Sequence, residues 1–371
     1  MGLLNFGNEQ KLIQNEFKRF ALTEIESIAA ELDKTCAFPT SIINRLSDLG
    51  LSSLIVPEKY GGAGFDATSL CIAIEEISKI CASIGTILVV NNCLVAYPII
   101  KYGQEAQKDL YLKKLATGEI GAFITDLEID LLDKKLAAKF TSGSYSITGK
   151  RDFVLNGEAA SFFVLPISSS NGKAFYLIDK GNASIIKITK PEILGMRAAG
   201  IVGLEFKETQ LTKESCLIPE DKGEKVRQEI SEYSNIGFSA IALGIAQASF
   251  EAALKYSKER KQFSRPICEF PMVQEMLVDM KVKIEMARLL VYDAANKFDN
   301  GQDYSLAAKI AQLHGGEAAV FSGLKAIQIH GGYGYIKDYP VERYLRDAKV
   351  LQVLEKTPHD LKSKIAKELL S

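Results

Sequence analysis

The chain has 371 residues, 47% of them hydrophobic and 25% charged, with a formal net charge of −1. That length suits two or three domains, the composition is that of an ordinary globular protein, and the near-zero charge excludes the basic footprint of a nucleic-acid binder. Six cysteines (Cys36, Cys71, Cys81, Cys93, Cys216, Cys268) show no CxxC pairing, and only three histidines occur (His314, His330, His359). Both facts argue against a disulfide scaffold and against a metal site, and they fit a reducing, cytoplasmic setting.

Residues 1–118 are expected to form a helical domain. Glu9, Glu16, Glu24 and Glu26 speak against a transit peptide, which is acid-poor. The segment 51–66 holds Pro57, Gly61, Gly62 and Gly64 and is a loop by composition. The stretch from Cys81 to Ile100 carries no charge, but Gly85, Asn91, Asn92 and Pro98 mark a buried core helix with a turn, not a membrane span. A short amphipathic helix, 106–119, closes at Gly118.

The pattern then changes. GAFIT, SYSITG, DFVLNG, SFFVLPI, AFYLIDK, SIIKI and LEFKETQL are short β-favouring runs, which predict a middle β domain over 119–221. Asn156-Gly157 predicts a hairpin turn. From 222 to 371 the helical period returns, with a long helix or a pair of helices expected over each of 236–260, 270–299, 304–329 and 340–370. Ala240, Ala242, Gly244, Ala246 and Ala248 permit close helix packing. The expected class is mainly α with a central β domain: helical N-terminal domain, β-barrel-like middle domain, C-terminal four-helix bundle.

The stretch QIHGGYGYIKDYPVERYLRDAKVLQVLEKT, residues 328–357, carries the most chemistry. Gly331-Gly332 after an apolar helix lets backbone approach a bulky ligand closely. Glu355, flanked by Val353 and Leu354, is either a desolvated base or a solvated helix-end acid.

This stretch resembles the C-terminal signature of the acyl-CoA dehydrogenase family, written QI-GG-GY, PVER, RD and E-G-T. PEKYGGAGFD, the run from Tyr97 to Phe123, LGMR (194–197) and the helix ending in Arg260-Lys261-Gln262-Phe263 are similar to other family segments in the same order. The resemblance implies an acyl-CoA dehydrogenase-like fold and an FAD-dependent acyl-thioester dehydrogenase. Glu355 is then the catalytic base that removes the α proton while hydride leaves Cβ for flavin N5. It also implies FAD contacts from Arg260, Phe263, Gln328, Gly331 and Gly332 of a partner subunit, from Phe123 and Thr125 of the same subunit, and from Thr357. Arginine suits a diphosphate because its planar donors make paired hydrogen bonds. Arg260 is alternatively an ion-pair partner of Glu259 or Glu269, and Gln328 a solvent-facing residue. No metal is implied.

Departures from the family pattern matter. Asp126, Glu128 and Asp130 stand where a glycine-serine pair normally helps bind diphosphate, and acids there repel phosphate. Phe153 and Leu155 replace the tryptophan and threonine of W-I-T-N-G. Ser264 replaces a turn glycine and Pro271 a polar residue. Lys356 stands for glycine, and Asn235 for an arginine, so a charge behind the active site is expected to be missing. An alternative is therefore a catalytically silent subunit completing the flavin site of an intact homologue in a hetero-oligomer, or a flavin-free pseudoenzyme. Expected partners are an acyl-CoA or acyl-carrier-protein thioester, further copies in a homodimer or homotetramer, and an electron-transfer flavoprotein.

Overall fold

The structure is a computed structural model describing residues 6–124, 136–141, 144–169, 172–181, 184–354 and 356–370. The N-terminal part holds α1 (Asn8–Phe20), α2 (Ala29–Thr35), α3 (Thr40–Asp48), α4 (Ala67–Ile80), α5 (Ala82–Val89), α6 (Tyr97–Tyr102) and α7 (Glu105–Ala116). Asp66 caps α4 by accepting from the Ser69 N–H at 2.7 Å, and the first turn of α4 also donates to the Asp299 carboxylate.

Between α5 and α6 the chain widens into a π-helix, Val90–Ala96. The wider turn places two buried asparagines where they reach other layers. Asn92 accepts from the Ile55 N–H and donates to Ser52 O, holding the loop before α4. Asn91 Oδ1 accepts from the Gly121 N–H at 2.9 Å.

Among the described residues eight strands follow: β1 (Ile120–Phe123), β2 (Ala137–Thr141), β3 (Ser144–Val154), β4 (Ala160–Ser169), β5 (Gly172–Asp179), β6 (Ile185–Thr189), β7 (Val202–Leu211) and β8 (Cys216–Ile218). They form two sheets, ordered β1-β4-β5-β8 and β2-β3-β7-β6, closing over one core. The period of two along β4 sends Phe163, Leu165 and Ile167 into that core and Phe162 and Val164 toward the helices. Burial on both faces explains why β4 and β5 read as continuous apolar runs.

Asn156-Gly157 does not close a hairpin. β3 pairs with β7 and β4 pairs with β1 and β5, so the turn carries the chain from one sheet to the other. Asn156 does adopt the left-handed backbone (φ 61) that the dipeptide signals. Its side chain is buried, however, and Nδ2 donates to Ile87 O and Gly121 O, pinning the crossover onto the helical layer.

The C-terminal part is built on α8 (Glu220–Glu259), a two-stranded hairpin of β9 (Lys261–Gln262) and β10 (Arg265–Pro266), α9 (Pro271–Asp299), α10 (Ser305–His330), α11 (Val341–Leu351) and α12 (Pro358–Leu370). α8 starts sixteen residues before the expected Ile236; Pro219 with Glu220 and Asp221 makes a favourable N-terminus. The small-residue stripe works as expected: a Cβ on Gly244 would lie 2.7 Å from Glu75 O of α4. Of the two options for 340–370 the structure takes the pair, α11 and α12, because Thr357 and Pro358 start a new helix. Ala82–Tyr102 and Glu220–Glu259 are long and apolar enough to cross a membrane, yet 94% and 78% of their apolar windows are buried inside the protein.

Candidate active site

The first cluster lies where α8 and α10 end. At Arg260 the backbone turns extended and enters the β9–β10 hairpin. Its two-residue loop is Phe263-Ser264, both left-handed (φ 49 and 66), as a type I′ turn requires. Phe263 is 90% exposed at the tip. α10 stops because Gly331 takes φ 60, ψ −133, a conformation open to glycine alone. A Cβ on Gly331 or Gly332 would meet nothing within 4 Å, so the bare backbone faces open space.

Between these termini lies a cleft of about 470 Å³ lined by Tyr256, Arg260, His330, Gly331, Gly332 and Tyr333, among others. The Arg260 guanidinium sits 5.7 Å from the Tyr333 ring centroid. Among the described residues Arg260 makes no ion pair, so neither Glu259 nor Glu269 takes it. His330 stacks on Tyr256 at 4.2 Å, and its Nδ1–H donates to Ala326 O at 2.8 Å. Burial lowers the His330 pKa, which keeps the ring neutral. Gln328 is exposed on the last turn of α10 and, like Phe263, stands outside the cleft lining. An open arginine beside bare glycine backbone in an aromatic cleft fits one end of a dinucleotide such as FAD, with the diphosphate on the arginine.

The second cluster surrounds the end of β1. Phe123 is buried, its ring 6.3 Å from Phe175, so it offers backbone and not side chain. Gly121, two residues earlier, is held through its N–H by Asn91 and through its carbonyl by Asn156. Thr125, Asp126, Glu128 and Asp130 lie outside the described residues. Phe153 is 59% exposed, whereas Leu155 is buried and carries no donor.

The LGMR loop is clasped to α11, a link that the sequence showed only as motif letters. Arg346 donates to both Asp33 oxygens (2.9 and 2.6 Å), to Glu342 (2.7 Å) and to Leu194 O (2.9 Å). Asp347 Oδ1 accepts from the Met196 N–H at 2.5 Å. Full burial pushes the Asp347 carboxyl up to about 6, against the opposing pull of that hydrogen bond and of Arg343.

The third cluster is the turn between α11 and α12. Glu355 lies outside the described residues; its C-terminal neighbours do not. Thr357 caps α12: its N–H and Oγ1–H donate to Asp360 Oδ2 (2.9 and 2.6 Å), and the Asp360 N–H donates back to Oγ1. That hydrogen bond from Thr357 holds the Asp360 carboxyl below its usual range. T-P-H-D was a legible capping box with proline at the first helical position.

Lys356 is 8% exposed, and its Nζ donates to Ser231 O at 3.0 Å and to Asn235 Oδ1. The charge expected to be missing at Asn235 is therefore present, delivered from the loop and not from the helix. Lys356 and Asn235 share the wall of a cavity of about 560 Å³ with the ion-pair cluster Glu232–Lys309–Glu368.

Comparison with known proteins matches this architecture across its length. The family model for the acyl-CoA dehydrogenase N-terminal domain covers residues 7–119, and that for the C-terminal domain covers 221–370. The chain is 38% identical to a short-chain-specific acyl-CoA dehydrogenase of Clostridium acetobutylicum, over 95% of this chain and 96% of that one. It superposes on butyryl-CoA dehydrogenase of Megasphaera elsdenii with a TM-score of 0.94 at 31% identity, covering 99% and 100% of the two chains. It superposes equally well (TM-score 0.94, 34% identity, 100% of both chains) on a chain in the structure of the electron-transferring flavoprotein of Acidaminococcus fermentans. With helical, sheet and helical parts in the family order and likeness running through every part, the chain belongs to the acyl-CoA dehydrogenase family.

Proposed function

We propose that this protein dehydrogenates short acyl-CoA thioesters between Cα and Cβ, with Glu355 as the base and FAD as the cofactor. The observation that carries the reading is the family likeness over 95% of the chain at 38% identity. Bound FAD would supply the acceptor for the β hydride. Arg260, Phe263, Gln328, Gly331 and Gly332 would hold it from a second copy of the chain; the backbone of Phe123, with Thr125 and Thr357, would hold it from the same copy. The Glu355 carboxylate takes the α proton, which the thioester carbonyl acidifies.

The cavity beside Lys356 admits the carrier arm. Its lining has five basic side chains, Arg227, Lys309 and Lys356 among them, against Glu232, Asp303 and Glu368, a balance suited to a phosphate-bearing carrier. Tight packing supports a short acyl group. A Cβ on Gly237 would lie 2.9 Å from Cys93 Sγ and from Val89 Cγ1, and Tyr97 stacks on Tyr233 at 4.3 Å. The exposed stripe Val278, Val282, Met286 and Leu289 on α9 supports a symmetric homo-oligomer, and the relationship to the flavoprotein assembly supports an electron-transfer flavoprotein as electron acceptor.

The test is the visible spectrum of the purified protein. Yellow protein whose flavin band bleaches with a four-carbon acyl-CoA, faster than with a sixteen-carbon one, is the expected result; Glu355→Gln abolishes bleaching. Unchanged bleaching in Glu355→Gln overturns the assignment of the base. Colourless protein that turns yellow only beside a co-expressed homologue establishes instead the silent-subunit reading, which the acids at 126, 128 and 130 favour.

A further inference from the structure

We propose that Lys356, locked onto Asn235, is a positioning residue for the reacting carboxylate. The inference rests on the reading of Glu355 as the base. Lysine is almost never buried without a purpose-built partner. Here the side chain is almost wholly buried, and its ammonium reaches two oxygens one turn apart on α8, Ser231 O and Asn235 Oδ1. An ammonium only donates, so it dictates which way the amide points: oxygen toward the lysine, NH₂ away. Asn235 is itself 1% exposed, and its Nδ2 has no hydrogen-bond partner among the described residues. The lysine is thus the only described group that fixes the Asn235 amide. A buried donor without an acceptor is costly, so this asparagine is kept for what its oxygen holds.

The consequence falls on the neighbouring residue. Lys356 ties the backbone directly after Glu355 to α8, and Thr357 ties the following residue to α12 through Asp360. Two successive anchors remove the freedom that a glycine at 356 would give this segment. A base must hold its oxygen within a narrow range of the proton it removes, and small misplacements cost large factors in rate. The same anchor seals an ammonium into the wall of the neighbouring cavity. Around it stand Arg227 and Glu232 of α8, Asp303 and Lys309 at the start of α10, and Lys364, Lys367 and Glu368 of α12.

The test is a double-mutant cycle in the full-length, flavin-loaded protein. Lys356→Met keeps the stem and removes the charge; Asn235→Leu removes the acceptor. Each is expected to lower kcat at least ten-fold with KM within three-fold and flavin content unchanged. The double variant should be no slower than the slower single variant, because both remove one device. Amide exchange of residues 352–357 should rise in Lys356→Met without cofactor as well. Relocating the charge, Asn235→Arg with Lys356→Gly, should recover at least ten-fold over Lys356→Gly alone. A Lys356→Met kcat within two-fold of the parent, or losses that multiply in the double variant, would overturn the proposal. Should Lys356→Met not fold, Asn235→Leu and the relocated pair carry the same decision. Glu355→Gln run in parallel separates the two readings: if it stays active the base assignment fails, and if it is dead while Lys356→Met is normal only the positioning role fails.

Discussion

α8 is about 60 Å long for its 40 residues, and its C-terminal end and the stretch around Asn235 are built on opposite plans. At the C-terminal end everything is open: Arg260 has no ion pair among the described residues, Phe263 stands out from the hairpin tip, and Gly331-Gly332 bares backbone. Asn235 and Lys356 are by contrast buried in the wall of their cavity, and the lysine, brought from a loop, is held against the helix by two hydrogen bonds. An open array of donors and aromatic rings is a surface made for another molecule, whereas a buried cation is made for the chain that owns it. One helix would then serve two active sites, lending its far end to the neighbour's flavin and its near half to its own base.

The sharpest way to break this contrast is intersubunit complementation. Arg260→Ala is expected to strip flavin binding from a homo-oligomer, weakening it at least thirty-fold in a titration of the apoprotein, and Glu355→Gln to abolish turnover. In mixed oligomers of the two variants, one class of site combines an intact Glu355 from one copy with an intact Arg260 from the other. Co-expression of the inactive pair should therefore restore a sizeable fraction of parent activity. Mixed oligomers as inactive as their parents would mean that Arg260 and Glu355 serve the same copy, and the opposition between these two regions of α8 would vanish.

How much of this was legible follows from the range of each interaction. Gly331, Gly332 and Arg260 were readable because the demand on each is local: a backbone that only glycine adopts, a planar cation at a helix end. The same holds for helical period, for the β runs, and for the T-P-H-D cap. Asn156-Gly157 misled for an instructive reason. A turn dipeptide reports that the chain reverses, not which sheet the next strand joins, and that was decided by Asn156 Nδ2 reaching Ile87 O and Gly121 O. Lys356 and Asn235 each looked like a loss when read alone. They are 121 residues apart, and only the fold shows that one substitution answers the other.

A smaller effect probes the enclosed side through Asp347. Its folded-state pKa is raised to about 6 against an ordinary value of 3.8, so the native state holds this proton more tightly than the unfolded chain does. Between these values the unfolded state binds fewer protons, so this group's contribution to stability falls as pH rises and the full penalty is present above about pH 6. Asp347→Asn keeps an oxygen for the Met196 N–H and never charges. Relative to the parent, its melting temperature should therefore improve between pH 5 and pH 7.5, by an amount equivalent to roughly 1–3 kcal/mol. A difference that stays flat with pH would show that the carboxylate is better compensated by Arg343 and Arg346 than its burial implies.

The smallest effect belongs to the open end. Phe263 and Ser264 both hold left-handed backbone, and for a residue with a Cβ this costs roughly 1–2 kcal/mol where glycine pays almost nothing. Ser264→Gly should accordingly stabilise the hairpin, by about 1 kcal/mol at most, because glycine gives back part of the gain as unfolded-chain entropy. Thermal melting alone would register this as a small rise. Flavin affinity measured in the same variant says what the strain is for. If affinity is unchanged, the serine is simply a tolerated residue in a turn that any left-handed pair would make. If affinity drops although the fold is more stable, the strained tip is what holds the Phe263 ring outward toward the neighbouring copy, and the open end of α8 is tuned for contact at the expense of its own stability.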